Sequence, residues 1–220
     1  QTFIDLTTWG TFTRASVATA LDGAATDGSS EFMRVYQSDV RRTEDRGDGN
    51  GRMLLLEGAR TNLIYNAENI ASSSGAWSGI GGATTSINYA NTPYGPKTAN
   101  RLQSLSGVSY IYNSPTVSSG TDYAISVWQR SSTGSAPEQI LIYDSAAVVT
   151  QRSMTTTWYR DIMLRNAAAT SLGMYLADGR DLSAWGGLTP AAARDVVAWG
   201  AQIEAGAFAS SFISATTTTA

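Results

Sequence analysis

The amino-acid sequence predicts an all-β protein, a sandwich or a barrel, and two observations carry that expectation. From Thr61 onward, strand-length segments recur about every ten residues, separated by clusters of Gly, Ser, Pro and Asn. The composition agrees: 21 glycines, 10 tyrosines and six tryptophans stand among abundant Ser, Thr and Ala. Aromatic and β-branched side chains suit a pleated, half-buried surface, and the small polar residues suit its turns. No helical periodicity of useful length interrupts the pattern; "LTPAAARD" at 188–195 is good for one helical turn.

Taken in order, the first 60 residues differ from the rest. Short apolar pieces (Phe3-Ile4-Asp5-Leu6, then Phe32-Met33-Arg34-Val35-Tyr36) are separated by "LDGAATDGSS" and by the charged, glycine-rich "RRTEDRGDGNG". Turn residues at this density punctuate hairpins or an extended arm and bury little by themselves. Residues 1–60 therefore read as an N-terminal arm or small β subdomain. The expected strands of the main domain, 61–214, are "TTSINYA", "GVSYIYN", "DYAISVWQR", "QILIYDS", "TTTWYRDIML", "SLGMYLAD" and "DVVAWGAQIE". Residues 215–220 read as a tail. Strict alternation in "DYAISVWQR" puts Tyr123, Ile125 and Val127 on one face, read as core, and Ser126, Trp128 and Arg130 on the other. Likewise Trp158, Arg160, Ile162 and Leu164 share a face opposite Tyr159, Asp161 and Met163.

Charge and composition exclude several classes. Fifteen Lys and Arg against 18 Asp and Glu leave a net charge of −3, with no basic stripe, so nucleic acid is not an expected partner. There is no Cys, hence no disulfide or thiolate metal site, and no His, the commonest general base and metal ligand. No apolar run reaches the ~18 residues of a membrane helix, so membrane insertion is not expected either. The chain opens on Gln1 rather than Met, so it is expected to be a processed product or part of something longer.

The junction "LLLEGARTNLIYN" at 54–66 is oddly polar for a chain with 15% charged residues. Gly58 gives it backbone freedom, and Glu57, Arg60 and Asn62 are suited to hydrogen-bond groups that a sheet ladder leaves unpaired. Together with "FTRAS" at 12–16, "YAISVWQR" at 123–130, "TTWYR" at 156–160 and "VVAWGAQIEAGAFASSFI" at 196–213, it resembles a group of tailed-phage and prophage virion proteins. In that group an N-terminal segment leads through an E-G-A-R-T-N-L linker into a jelly roll similar to carbohydrate-binding modules. The resemblance implies that "NLIYNAENI" is the first strand of a jelly-roll β-sandwich. It also implies a fibre, spike or decoration protein of a virion, other virion proteins as partners, a homo-oligomer with a trimer first, and host-surface polysaccharide as the ligand.

Sugar-binding sandwiches stack pyranose rings on exposed aromatics and orient hydroxyls with nearby polar groups. By that logic the candidate carbohydrate-binding residues are Trp128, Arg130, Tyr143, Tyr175, Asp178 and Trp185, whereas Trp77, Trp158 and Trp199 sit in motifs that read as core. A further expectation is that the polar face bearing Ser126, Trp128 and Arg130 is itself the binding surface. Modules of the resembled type often hold a structural calcium between the first strand and an acidic pair in the last. Asn66 and Glu68 would supply oxygens from the first strand, but Ala198-Trp199-Gly200 stand where the acidic residues belong, so no cofactor is expected. "DGNG" at 48–51 fails the EF-hand pattern, with Arg52 at a ligand position and Ala59 in place of the bidentate Glu. "RGD" at 46–48 is a three-residue match in a turn. The acids Glu138, Asp144, Asp161, Asp178 and Asp181 are scattered, so catalytic residues are expected to be absent. A purely structural virion protein and a glycan-degrading spike are the alternative readings.

Overall fold

A computed structural model describes the strands at 18–21, 33–36, 43–45 and 52–54, and residues 60–215 apart from 94, 96, 97, 135, 145, 186–190 and 211. For the first four strands, for 136–141 and 148–153, and for Trp185, it describes the backbone only. The chain divides into two compact units, Gln1–Ala59 and Arg60–Ala220. In the first, β1 (Ala18–Leu21) pairs antiparallel with β2 (Met33–Tyr36), and β3 (Thr43–Asp45) with β4 (Arg52–Leu54). Phe3–Leu6, Glu57, "RGD" and "DGNG" lie outside the described residues.

Among its described residues the second unit carries ten strands: β5 (Ser78–Ile80), β6 (Thr84–Ala90), β7 (Ala99–Ser104), β8 (Tyr110–Asn113), β9 (Asp122–Ser131), β10 (Ala136–Tyr143), β11 (Ala147–Met154), β12 (Tyr159–Asn166), β13 (Gly173–Leu176) and β14 (Arg194–Ala205). They form two five-stranded sheets, ordered β11-β10-β13-β8-β5 and β12-β9-β14-β7-β6. The last strand, β14, lies between β7 and β9, and β13 lies between β8 and β10, every pair antiparallel. That interleaving is the double Greek key of a jelly roll. Ile111, Ile142, Met174 and Leu176 from one sheet join Leu102, Ile125, Val127 and Ile203 from the other in one buried cluster. The protein is an all-β jelly-roll sandwich.

The seven expected strand segments all contain strands, while β5, β7 and β11 were not anticipated. "LTPAAARD" makes no helix at its described residues, 191–195. "NLIYNAENI" corrects the expectation of a first strand. It runs as an irregular strap along β14, because β7 pairs with β14 only as far as Ala198 and leaves the rest of that edge open. The Leu63 N–H donates to the Ile203 carbonyl at 2.8 Å, and the Ala201 N–H donates to the Ala67 carbonyl at 3.0 Å. Asn66, at φ 51°, breaks the extended run.

Between those two bonds the Asn62 side chain stands in for a peptide group. Its Nδ2 donates to the carbonyls of Ala201 (3.0 Å) and Ile213 (3.1 Å), and its Oδ1 accepts from the N–H groups of Ile64 (3.0 Å) and Ile203 (3.1 Å). Arg60 donates to the carbonyls of Ala205 and Phe208, and stacks on the Phe208 ring at 4.1 Å. Fully buried Glu204 accepts from the Ser210 N–H (2.6 Å), the Ser210 hydroxyl (2.7 Å) and Gln202 Nε2 (2.6 Å), with Arg60 3.7 Å away. Arg60, Asn62, Gln202, Glu204 and Ser210 thus serve one purpose: they pin the entry strap and the C-terminal segment to the free half of β14.

Candidate functional site

The outer face of the β11-β10-β13-β8-β5 sheet gathers tyrosines. Alternation in β8 sends Ile111 into the core and leaves Tyr110 and Tyr112 outside; in β13, Met174 and Leu176 point in and Tyr175 points out. Tyr175 lies directly opposite Tyr112 in register, and their rings run nearly parallel, 13° apart, with centroids separated by 5.4 Å. Tyr110 meets both edge-on, at 5.8 Å from Tyr112 and 5.1 Å from Tyr175. The Tyr175 ring folds over Gly173: a Cβ there would sit 2.7 Å from the ring, so only glycine admits this pose. Opposite Gly173, on β10, stands Tyr143, 44% exposed.

Arg180 completes the cluster, its guanidinium 4.3 Å from the Tyr110 centroid and 5.1 Å from that of Tyr175. Its clamp is Asp178, fully buried, whose Oδ1 accepts from the Arg180 backbone N–H and Nε at 3.0 and 2.9 Å and whose Oδ2 accepts from NH2 at 2.6 Å. Ala177, in the left-handed region at φ 46°, turns the chain out of β13 so that Asp178 and Arg180 come back over the sheet. Burial works against the Arg180 charge, but the Asp178 carboxylate outweighs it and raises the guanidinium pKa. Burial, with Tyr110 adding to it, pushes the Tyr175 phenol up, so that hydroxyl stays protonated and able to donate at neutral pH.

Of the residues singled out from the sequence, Tyr143, Tyr175 and Asp178 meet on this face. Trp185 belongs to a 3-10 turn, Ser183–Trp185, whose backbone lies beside β11, the outer strand of the same sheet. Trp128 and Arg130 are elsewhere, on β9 of the opposite sheet. The expectation of an exposed Trp128 does not match its position. It is half-buried against the apolar cluster, opposite Trp199, and Phe212 packs on Trp199 at 4.4 Å. Arg160 seals that end by donating to the Ser126 hydroxyl and the Ser210 carbonyl. Trp77 and Trp199 are buried, and Trp158 is partly buried against the same cluster. Tyr110, Tyr112 and Arg180 were missed, although the Y-I-Y alternation of "GVSYIYN" was the signal that placed two tyrosines on one face.

Asn66 and Glu68 line a cleft of about 350 Å³ with Asn69, Ile87, Asn88, Thr98 and Ala215. Asn66 spends its amide on the Ser74 carbonyl, and Glu68 accepts from the Ser214 hydroxyl. Among the described residues no group of three or more Asp, Glu, His or Cys is placed to hold a metal. Three of the interior acids stand against arginines: Asp144 with Arg165, Asp178 with Arg180, Glu204 near Arg60.

No family model matches the chain, and no curated protein matches it. Solved structures share its outline. A xylan-binding family 22 module of Paenibacillus barcinonensis Xyn10C aligns with 17% identity and a TM-score of 0.49, over 68% of this chain and 97% of that one. The C-terminal family 22 carbohydrate-binding module of Clostridium thermocellum Xyn10B aligns with 12% identity and a TM-score of 0.44, over 66% and 95%. The enzymatically active domain of tailspike protein 4 of bacteriophage CBA120 aligns with 11% identity and a TM-score of 0.41, over 66% and 21%.

Proposed function

We propose that the jelly-roll unit binds a neutral polysaccharide without cleaving it, on the tyrosine face of the β11-β10-β13-β8-β5 sheet. The observation that carries this reading is the Tyr112–Tyr175 pair with Tyr110 and the clamped Arg180 beside it. Aromatic surface offers the apolar side of a pyranose a place to rest, while phenol hydroxyls and a fixed guanidinium orient the sugar hydroxyls. A site built on strands and held by a buried Asp178–Arg180 pair is preorganised, so little ordering opposes binding. Tyr143 extends the platform across β10. The test is a glycan array on the full chain and on Tyr175→Ala, with release of reducing sugar followed on every polymer bound. Binding lost in the variant supports the reading; unchanged binding moves the site, and sugar release makes the protein an enzyme.

We infer further, from the "EGARTN" and "QIEAGAFASSFI" resemblance, that the chain is a tailed-phage virion component using this face for host attachment. A second reading, assembly without glycan, draws on β12, the outer strand of the other sheet, where Ile162 and Leu164 are 51% and 59% exposed. Sedimentation of the full chain, of a form lacking residues 1–58 and of Ile162→Glu separates them. A homo-oligomer that dissociates in the last variant favours assembly through β12.

A further inference from the structure

The polar face of β9 is divided in two. Its Ser126–Trp128 half lies under the C-terminal segment, through Arg160 and Ser210. The half around Arg130 carries different chemistry. Arg130 lies directly opposite Val197 on β14, and Val197 lies directly opposite Arg101 on β7, so both arginines project from one face about 10 Å apart. Aromatic rings flank them: Arg130 sits over Trp158 at 5.4 Å, and Arg101 over Tyr89 at 5.2 Å.

The two cations differ in how they are compensated. Arg101 is bound in a fork by Asp195, Nε to Oδ1 at 2.7 Å and NH2 to Oδ2 at 2.5 Å, and Gln103 reaches the same carboxylate at 3.4 Å. Arg130 is half-buried and donates NH1 to the carbonyl of its own neighbour, Ser131, at 3.1 Å; no Asp or Glu among the described residues pairs with it. Burial lowers its pKa, and the nearby Tyr89 is the one group acting in the opposite direction. A desolvated cation with no counter-charge is costly unless something anionic completes it. A guanidinium is a planar fork that matches a carboxylate in two parallel bonds, and the ring of Trp158 borders it, with Tyr89 beside Arg101 further along the strip.

We propose that this strip is a second binding site, separate from the tyrosine face, and that it takes a uronic-acid polysaccharide whose carboxylate docks on Arg130 beside Trp158. The site goes beyond the neutral-glycan reading and stands without it. Two faces on opposite sheets would also let one jelly roll engage two stretches of a mixed polymer, raising avidity with no new contact at either site.

Affinity electrophoresis of the full chain through polygalacturonate, and through the same polymer with its carboxyls reduced, tests the site. The expected result is retardation by polygalacturonate alone, weakened by salt, at least tenfold weaker in Arg130→Gln, partly kept in Arg130→Lys and fully kept in Tyr175→Ala. The last variant separates this site from the tyrosine face. Should Arg130→Gln fold poorly, the unaltered chain still decides the matter: the Arg130 Nε–H resonance must shift on titration with trigalacturonate. The proposal is overturned by no retardation of the parent chain, by equal retardation in the reduced polymer, by an unaffected Arg130→Gln, or by a resonance that does not move.

Discussion

Replacing Asn62 with alanine should unfold the strap from β14 and cost more than a buried asparagine ordinarily does. The side chain makes four hydrogen bonds, at 3.0, 3.1, 3.0 and 3.1 Å, to four backbone groups of residues 64, 201, 203 and 213. Truncation leaves two N–H groups and two carbonyls facing a space the size of an amide, with Asn62 itself buried in the parent. Each stranded buried group costs about 1–3 kcal/mol, and entry of water recovers part of it, so the loss should be about 3–5 kcal/mol. For a unit of this length that corresponds to a fall in Tm of roughly 6–20 °C. Asn62→Asp sharpens the test. Its carboxylate would face the Ala201 and Ile213 carbonyls, which raises its folded pKa above the unfolded value. The native state then holds the extra proton, so stability must increase as pH falls toward 4, opposite to the usual carboxylate. Calorimetry of the full chain reads both variants. An Asn62→Ala Tm within 2 °C of the parent, or an Asn62→Asp Tm that does not rise with acid, would refute the claim that this amide completes the ladder.

Three other perturbations have defined outcomes. The Arg165 guanidinium beside Asp144, helped by the Ala168 N–H, holds the Asp144 pKa below its ordinary value. Its contribution is therefore complete above about pH 4 and lost as pH falls through the folded pKa, so Asp144→Asn should destabilise the protein at pH 7 and flatten the acid limb of a Tm–pH profile. Gly206→Ala should cost more than 2 kcal/mol in urea unfolding, on the order expected of φ > 0 strain plus a clash, since φ is 141° and the new Cβ would fall 1.8 Å from the Arg60 guanidinium. EDTA should shift Tm by less than a few degrees; a larger shift, abolished by Glu68→Gln, would establish a calcium site in the cleft between the strap and β6.

The sandwich was legible because alternation and turn chemistry are local. "DYAISVWQR" sorts itself into core and outer face with no knowledge of its neighbours, and Tyr123, Ile125 and Val127 are all buried. What stayed hidden depends on partners distant in sequence. "NLIYNAENI" has the composition of a strand but runs beside a β14 edge whose vacancy is set by the short reach of β7. β7 itself, "ANRLQS", reads as polar because Arg101 and Gln103 serve Asp195, 94 and 92 residues away. Trp128 looked exposed because strict alternation placed it opposite the core; nothing local announced that residues near Ser210 fold back over it. Tyr143, Tyr175 and Asp178 stand in the sequence as single aromatics and acids, yet the tyrosines group through the β8–β13–β10 register and Asp178 and Arg180 join them through the turn at Ala177.

The position of β14 also explains why the two outer faces are not equivalent. It is the longest described strand, and its two halves have different neighbours: β7 up to Ala198, then the strap. Gly200, at φ 65°, lies in the bulge that separates them, where a Cβ would press on both Trp128 and Phe212 at 3.3 Å. Beyond the bulge β14 is engaged by the two ends of the jelly-roll unit, through Glu204, Gln202 and Asn62. Before it, Asp195 and Val197 stay beside Arg101 and Arg130, clear of those pins. On the other sheet no comparable pin among the described residues reaches Tyr110, Tyr112 or Tyr175, whose described ring contacts are with one another and with Arg180. Closure of the jelly roll by its termini therefore consumes half of one face and leaves the Arg101–Arg130 strip and the tyrosine face outside the closing contacts.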